Sequence, residues 1–583
     1  MVLAFVVAGA PELSAQPQGP IKLFPDVDEG ATPEPSVPVR PEGDAPAPGP
    51  RDSDARVRPG SPAMETPERP DDEGAVRVEG LEAPEVDAIG LPDGLDPAIW
   101  QAVDPERAVR LIGRLPVAHH NRPLQALTRR LLITGALFGD AASPGAMLIA
   151  RVRGLVAMGA LDDAAALLDQ LPRQDVDTAL TRASAEVALW RGDVETGCRL
   201  AEAVAPVAKA PFWGELMVFC RQRAGDADGA ALALDLLRDA GQTDDRRFLA
   251  LAEGRGAAGG GDAPWTALHV AMLEATGRPL PDGAAEQASG PLLAALAMRP
   301  ELAPEGALEL GERAFMRGAI DRDRLAEAYR AAAAERPADR EPDDLPLPAA
   351  RATVFAMLEA GAEPGEAARV FDRLWSRTPV DQRELTGAAF APLLNELPAL
   401  EELLFAAPAF ARALLVAGYP GPASRWLDLL RKHAADDVTA REAAAALAPL
   451  LAIGGIRDGG ARFGREAFEA WRASRAEDAP APARLLALLE GAGARVPLDL
   501  WWLVEEEPGD GQPAPGVIWR ILERARLSGA TGDAILAGLH LLGGEPAAAD
   551  REALIKGLGA LREAGLAEEA RRIATVAAVR SGL

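Results

Sequence analysis

RVRGLVAMGALDDAAALLDQLP (151–172), AEVALWRGDVETGCRLAEAV (185–204) and FWGELMVFCRQRAGDADGAALALDLLRDAG (212–241) carry one pattern three times. An apolar helical stretch ends at a glycine followed closely by an acid, and a second apolar helix begins at once. The turn glycines Gly159, Gly192 and Gly225 stand 33 residues apart on both intervals. A fixed period of that size, with two helices in each unit, is the pattern of stacked helical hairpins. Each hairpin has one apolar face too large to leave in water, so neighbours must stack to cover it.

Composition points the same way. Of the 583 residues, 48% are hydrophobic but only 4% are aromatic, so the core is built mainly from Ala and Leu. Both are strong helix formers, and small side chains let helix axes approach closely. No sustained alternation of Val, Ile, Thr or Tyr marks a strand. The expected class is all-α, a superhelical α-solenoid. The formal net charge of −27 argues against nucleic acid as a partner, because no Lys/Arg stripe offsets the acid.

Residues 1–15 have the apolar run Val2–Ala8 followed by Leu13-Ser14-Ala15, the layout of a signal peptide cleaved after Ala15, although a basic start is missing. Export to the periplasm or outside the cell is the expectation. No later window holds the ~20 uninterrupted apolar residues of a spanning helix. Residues 16–92 are rich in Pro, Asp, Glu and Gly and are expected to be disordered. The apolar island Ile21–Pro25 interrupts them; its Phe24 is either a docking residue on a tether or an unremarkable neighbour of the cleavage site.

Order is expected to resume near Leu91. Asp104-Pro105-Glu106 supplies an N-cap, a proline for the first helical position and an acid for the first turn, and helices are predicted over 104–114, 121–139 and 144–158. A first helical block thus covers 93–253. The Gly-rich stretch 254–264 reads as a loop or hinge, with a middle block over 265–336. A Pro-rich connector over 337–348 precedes a last helical block over 349–583. In that block Leu554, Ile555, Leu558 and Leu561 form one face, and Ala570, Ile573, Ala574 and Ala577 form another after the turn at Gly565.

These units resemble tetratricopeptide (TPR) or Sel1-like repeats. The family's small contact residue lies five positions beyond the turn glycine, matched here by Ala164, Gly197, Ala230 and Ala570. The early Trp and the Tyr of the first helix are absent. The resemblance is specific over 151–241 and the last ~30 residues. It implies a concave surface, lined by the first helix of each pair, that binds peptides or proteins. Leader, acidic spacer and Ala-rich array together are similar to exported bacterial helical-repeat proteins. A weaker resemblance is to the superhelical part of soluble lytic transglycosylases, which implies a peptidoglycan-active enzyme or its accessory subunit.

Reacting groups are sparse. His119, His120, His269, His433 and His540 sit in no zinc pattern, and no nucleophile elbow, P-loop or dinucleotide fingerprint appears. The expectation is therefore no catalytic, metal or cofactor residue. Cys198 and Cys220 lie on consecutive antiparallel helices, either bridged or as two small buried thiols. Trp501 and Trp502, adjacent on one helix beside an acidic loop, point to different faces and offer a partner-binding patch unless both pack at a kinked end.

Overall fold

The computed structural model describes residues 86–583, apart from 139–144, 173–176, 205–209, 257–262, 282, 304–305, 336–340, 457–462, 475–480, 506, 508–510 and 512. The chain divides into Met1–Glu79 and Gly80–Leu583. The first lies outside the described residues, and with it the leader, most of the 16–92 segment and Phe24. The described residues hold twenty-six α-helices and no strand. None of these helices is long and apolar enough to cross a membrane.

Local chemistry sets the helix boundaries. Asp104 accepts a hydrogen bond from the Arg107 amide at 2.7 Å and Pro105 opens α1 (Pro105–Ile112). Asn121 caps α2 (Arg122–Leu132) in the same manner. Gly159, Gly192 and Gly225 all take the left-handed conformation, at φ +86°, +82° and +79°, which only glycine adopts without penalty. They end α3 (Ala146–Met158), α5 (Thr178–Trp190) and α7 (Pro211–Arg223). Their return helices are α4 (Leu161–Leu168), α6 (Val194–Val204) and α8 (Ala227–Asp239). The small residues five places on lie where the hairpin helices touch: Ala164 is fully buried, and a Cβ on Gly197 would stand 3.0 Å from Leu189 Cδ2.

Helix α2 stops seven residues before the predicted end at 139. The chain there runs alongside residues 87–91, with Ala136 N donating to Asp87 O and Leu91 N to Ile133 O. A Cβ on Gly135 would be 2.2 Å from Ala88 O, so the approach requires glycine. Order consequently begins before Leu91. Asp87 caps α3 by accepting from Gly145 N and Leu148 N, and the buried Arg151 donates to Thr134 O and Ile89 O.

Helices α9 (Arg246–Ala252), α10 (Ala267–Thr276) and α11 (Gly290–Met298) follow. α10 packs back on α5 and α11 on α3. The α3–α11 contact is close because Gly159 faces Gly290, where a Cβ would meet the Gly290 carbonyl at 2.6 Å. One apolar cluster spans Leu161 to Ala314, with Phe248 before the Gly-rich stretch and Val270 after it. Helices on both sides of the 254–264 stretch thus contribute to one apolar cluster, while 257–262 lie outside the described residues. Within the 337–348 connector, residues 341–348 are described, and there Pro342 is buried and its carbonyl accepts from Arg377.

From α12 (Ala307–Met316) and α13 (Arg322–Ala334) the array runs through α14 (Leu347–Glu359) and α15 (Pro364–Arg377) to α16 (Arg383–Glu396), α17 (Ala407–Val416), α18 (Pro420–His433), α19 (Val438–Ile453), α20 (Arg465–Ser474) and α21 (Pro482–Gly491). A short α22 (Leu498–Trp502) leads to α23 (Gly516–Ser528), α24 (Thr531–Leu542), α25 (Arg551–Glu563) and α26 (Ala567–Arg580). The last helix does not extend the array. It packs against α16, α17, α19, α21 and α25, and against α2 from the beginning of the fold. Ala570, Ile573, Ala574, Val576, Ala577, Ala578 and Val579 are all fully buried there. The concave surface implied by the resemblance is, along α16–α21, covered by the chain itself.

Candidate binding cleft

The residues singled out from the sequence do not converge. Cys198 on α6 and Cys220 on α7 are joined by a disulfide across 5.6 Å between Cα atoms. Trp501 is half-buried against the main core, and its indole N–H donates to Glu490 Oε2 at 3.2 Å. Trp502, one position on, is 69% exposed beside Leu498 at 77%. The tryptophan pair thus splits between packing and solvent, and Phe24 lies outside the described residues.

Three of the histidines tie parts of the fold together. His119 is fully buried, bonded through Nε2 to Thr128 Oγ1 at 2.9 Å, and burial pulls it down to about 4. His269 Nε2 meets Asp245 Oδ2 at 3.0 Å, and that hydrogen bond is the main reason the Asp245 carboxyl falls to about 2. His540 bonds the Leu111 carbonyl at 3.0 Å, tying α24 to α1. Among the described residues no group of three His, Cys, Asp or Glu side chains could hold a metal ion.

The most perturbed carboxyl is Glu384, at the start of α16. It is fully buried, and burial pushes it up to about 7 against the hydrogen bond it accepts from Arg122 N at 2.6 Å. Its other oxygen faces Arg580 at 4.0 Å, and Arg580 is itself paired with Glu545 at 2.6 Å. A perturbed carboxyl often marks chemistry. Here it sits where α2, α16 and α26 meet. Asn121 Nδ2 donates to Ile573 O at 3.0 Å and Arg130 pairs with Glu569 at 2.7 Å across the same seam. The group serves the closure between the first and last helices.

Accessible polar space opens at the other end of α26. Glu568, Arg571, Arg572 and Thr575 recur at i, i+3, i+4 and i+7, one face of the helix, while Ala570, Ile573, Ala574 and Ala577 face the core. The polar face looks across the C-terminal turns of α17, α19 and α21, and a cleft of about 890 Å³ lies between them. Those turns pass through Gly418, Gly455 and Gly493, at φ +84°, +80° and +99°. A Cβ on Gly455 would meet Arg571 Cδ at 2.8 Å, and one on Gly493 would meet Arg562 Nε at 3.1 Å. The arginine stems are therefore laid over bare backbone. Arg562 also donates to Glu490 O and Gly491 O, satisfying carbonyls at the end of α21.

The charged lining is Arg495, Arg571, Arg572 and one carboxylate, Glu568. This is a cationic spot in a chain of net charge −27. Arg572 pairs with Glu568 one turn earlier at 2.5 Å, both side chains more than half exposed. Leu415, Ile456 and Phe463 supply apolar wall. Guanidinium groups beside apolar surface can bind an anion with an apolar substituent, and no acid–base pair accompanies them. The sequence reading used only the apolar half of EEARRIA; the partners of its arginines lie more than a hundred residues away, at Gly455 and Gly418.

No protein-family model matches the chain, and no curated protein matches it.

Proposed function

We propose that this chain is a non-enzymatic protein-binding or scaffold protein of the bacterial cell envelope, periplasmic or secreted, built on a TPR-like array. The observation that carries the reading is the cleft between α26 and the ends of α17, α19 and α21, an open recess lined by guanidinium and apolar groups. An all-helical architecture of adjacent antiparallel pairs supports a repeat-type scaffold. The signal-like leader supports export. Binding uses the cleft rather than a long concave groove, because α26 occupies the inner face of α16–α21.

The test is capture from an envelope fraction with the full chain as bait, beside a chain carrying Arg571→Glu and Arg572→Glu. The expected result is a partner retained by the first and lost by the second, with both baits equally folded by circular dichroism. The same proteins on both baits, or none on either, would overturn the reading. Fractionation of the expressed chain tests location: a chain found only in the cytoplasm, uncleaved at Ala15, removes the envelope assignment.

A further inference from the structure

We infer that the cleft at α26 takes a carboxylate-bearing segment of a partner protein in which acidic side chains alternate with apolar ones. The inference rests on the binding reading above and names the ligand it leaves open.

The first ground is unspent charge. Among the described residues Arg571 and Arg495 have no ion-pair or hydrogen-bond partner for their guanidinium groups, and Arg572 has only Glu568. Other arginines of the fold are spent on carboxylates. Arg107 grips Asp533, Arg351 grips Glu312, and Arg580 grips Glu545. The recess thus gathers two unpaired guanidinium groups in a chain with 88 acids and 61 basic residues.

The second ground is placement. Arg571 lies over the Gly455 turn, and a Cβ added to Gly418 would stand 3.8 Å from Arg572 Nε. Fixing a guanidinium before binding reduces the side-chain entropy lost on complex formation. Thr575, buried at the inner end of the same helical face, donates to the Arg571 backbone carbonyl at 2.8 Å and so does not compete for the guanidinium.

The third ground selects the ligand class. Leu415, Ile456 and Phe463 make the recess part apolar, which suits a peptide with alternating side chains and not a bare inorganic anion. A nucleic acid would need a wide cationic stripe, and the strongly negative chain repels a polyanion at long range. Carboxylates match the guanidinium fork as two parallel hydrogen bonds.

The experiment is fluorescence anisotropy with the full chain and a labelled octapeptide of alternating Glu and Leu. Comparison probes are its Gln–Leu analogue, a Glu octamer and inorganic phosphate as competitor. The expected result is saturable binding of the Glu–Leu probe, weakened at least about tenfold in Arg571→Gln and in Arg495→Gln. Arg495 is exposed, so its variant keeps the fold, and unchanged melting curves show this for both. Equal binding of the Gln–Leu probe, equal binding of the Glu octamer, or full competition by phosphate would overturn the inference. So would absence of binding to the Glu–Leu probe. If envelope capture still depends on Arg571 and Arg572 in that case, the binding reading survives and only the ligand class falls; if capture fails as well, both fall.

Discussion

The two ends of the helical array close in different ways. Around α3–α12 the chain curls until α10 meets α5 and α11 meets α3, edge to edge, with a disulfide joining α6 to α7. Around α14–α26 closure is made by the last helix, which enters the middle of the array and also receives α2. Burial follows from this. Helix α8 buries only Ala230, Leu234 and Leu237 and leaves Leu232 and Leu236 each 60% exposed. Helix α26 buries eight of its fourteen residues. The clearest repeat signal in the sequence thus runs from a well-buried helix, α3, with eight of its thirteen residues in the core, to a superficial one, α8. Helix α26 is packed by partners that lie far away in the chain. Periodicity reports the hairpin; it is silent on depth.

The sharpest way to break that contrast is a charge in each helix. Ala574→Glu places a carboxylate in a fully buried site and is expected to cost about 4 kcal/mol or more, enough to unfold the chain around α26. Leu236→Glu, on the exposed face of α8, is expected to change stability by less than about 0.5 kcal/mol. Urea unfolding followed by circular dichroism measures both, and comparable losses would erase the distinction.

Reducing the Cys198–Cys220 bridge probes the first region alone. The bridge spans 22 residues, and releasing a loop of that length is expected to cost about 3 kcal/mol. Hydrogen exchange after reduction should rise in α5–α8 and stay unchanged in α16–α21 and α26. Uniform loss of protection would mean the two regions unfold as one.

The ionisable groups differ in the same sense. In the first region Asp245 is held down to about 2 chiefly by its hydrogen bond to His269, whereas at the α2–α16–α26 seam Glu384 is held up near 7 chiefly by burial. The folded state therefore keeps the Glu384 proton after the unfolded chain has lost it near 4.5, and stability falls as pH rises from about 4.5 to about 7. His119 opposes this. Its folded value of about 4 lies below the ordinary 6.5, so its contribution grows with pH across that window and is lost as pH falls. Glu384→Gln removes the first slope, worth up to about 3 kcal/mol. Melting temperature should then rise between pH 4.5 and 6.5 and stop falling above it. An unchanged pH profile in that variant would contradict the buried, proton-holding carboxyl.

The smallest effects separate crowding from conformation. Gly387→Ala on α16 would set a Cβ 2.2 Å from Val416 Cγ1 and 2.9 Å from Ala413 O, and is expected to cost about 1–3 kcal/mol. Gly225→Ala has open space around it, so only its φ of +79° opposes the change, at about 1 kcal/mol. Equal losses at both sites would mean the α16–α17 contact is less tight than its geometry.

The hairpins were legible because their determinants are local. Gly159, the acid after it and Ala164 fall within one turn and the next helix; Gly159 makes the left-handed turn and Ala164 the buried contact. The same local pattern puts Leu148 and Leu155 of α3, and Trp213 and Leu216 of α7, in the core. The early start of order was not, since Asp87 reads as one more acid in an acidic segment until Gly145 and Leu148 are brought to it. Nor was the cleft. Arg571 and Arg572 look like an ordinary solvated pair on a helix, and only the approach of the Gly455 and Gly418 turns gives them a place. Trp501 and Trp502 show the middle case: the sequence placed them on different faces, and the contact with Glu490 decides which one packs.

The position of α26 also sets an order of events during synthesis. Helices α16, α17, α19 and α21 leave the ribosome before the helix that covers them, so their apolar faces wait for it. Through that interval the nascent chain shows the second region's interior to the surrounding medium, while the first region already has all of its own closing helices. Chaperone occupancy on the emerging chain should accordingly rise after α21 and fall once Ile573 and Val576 are delivered.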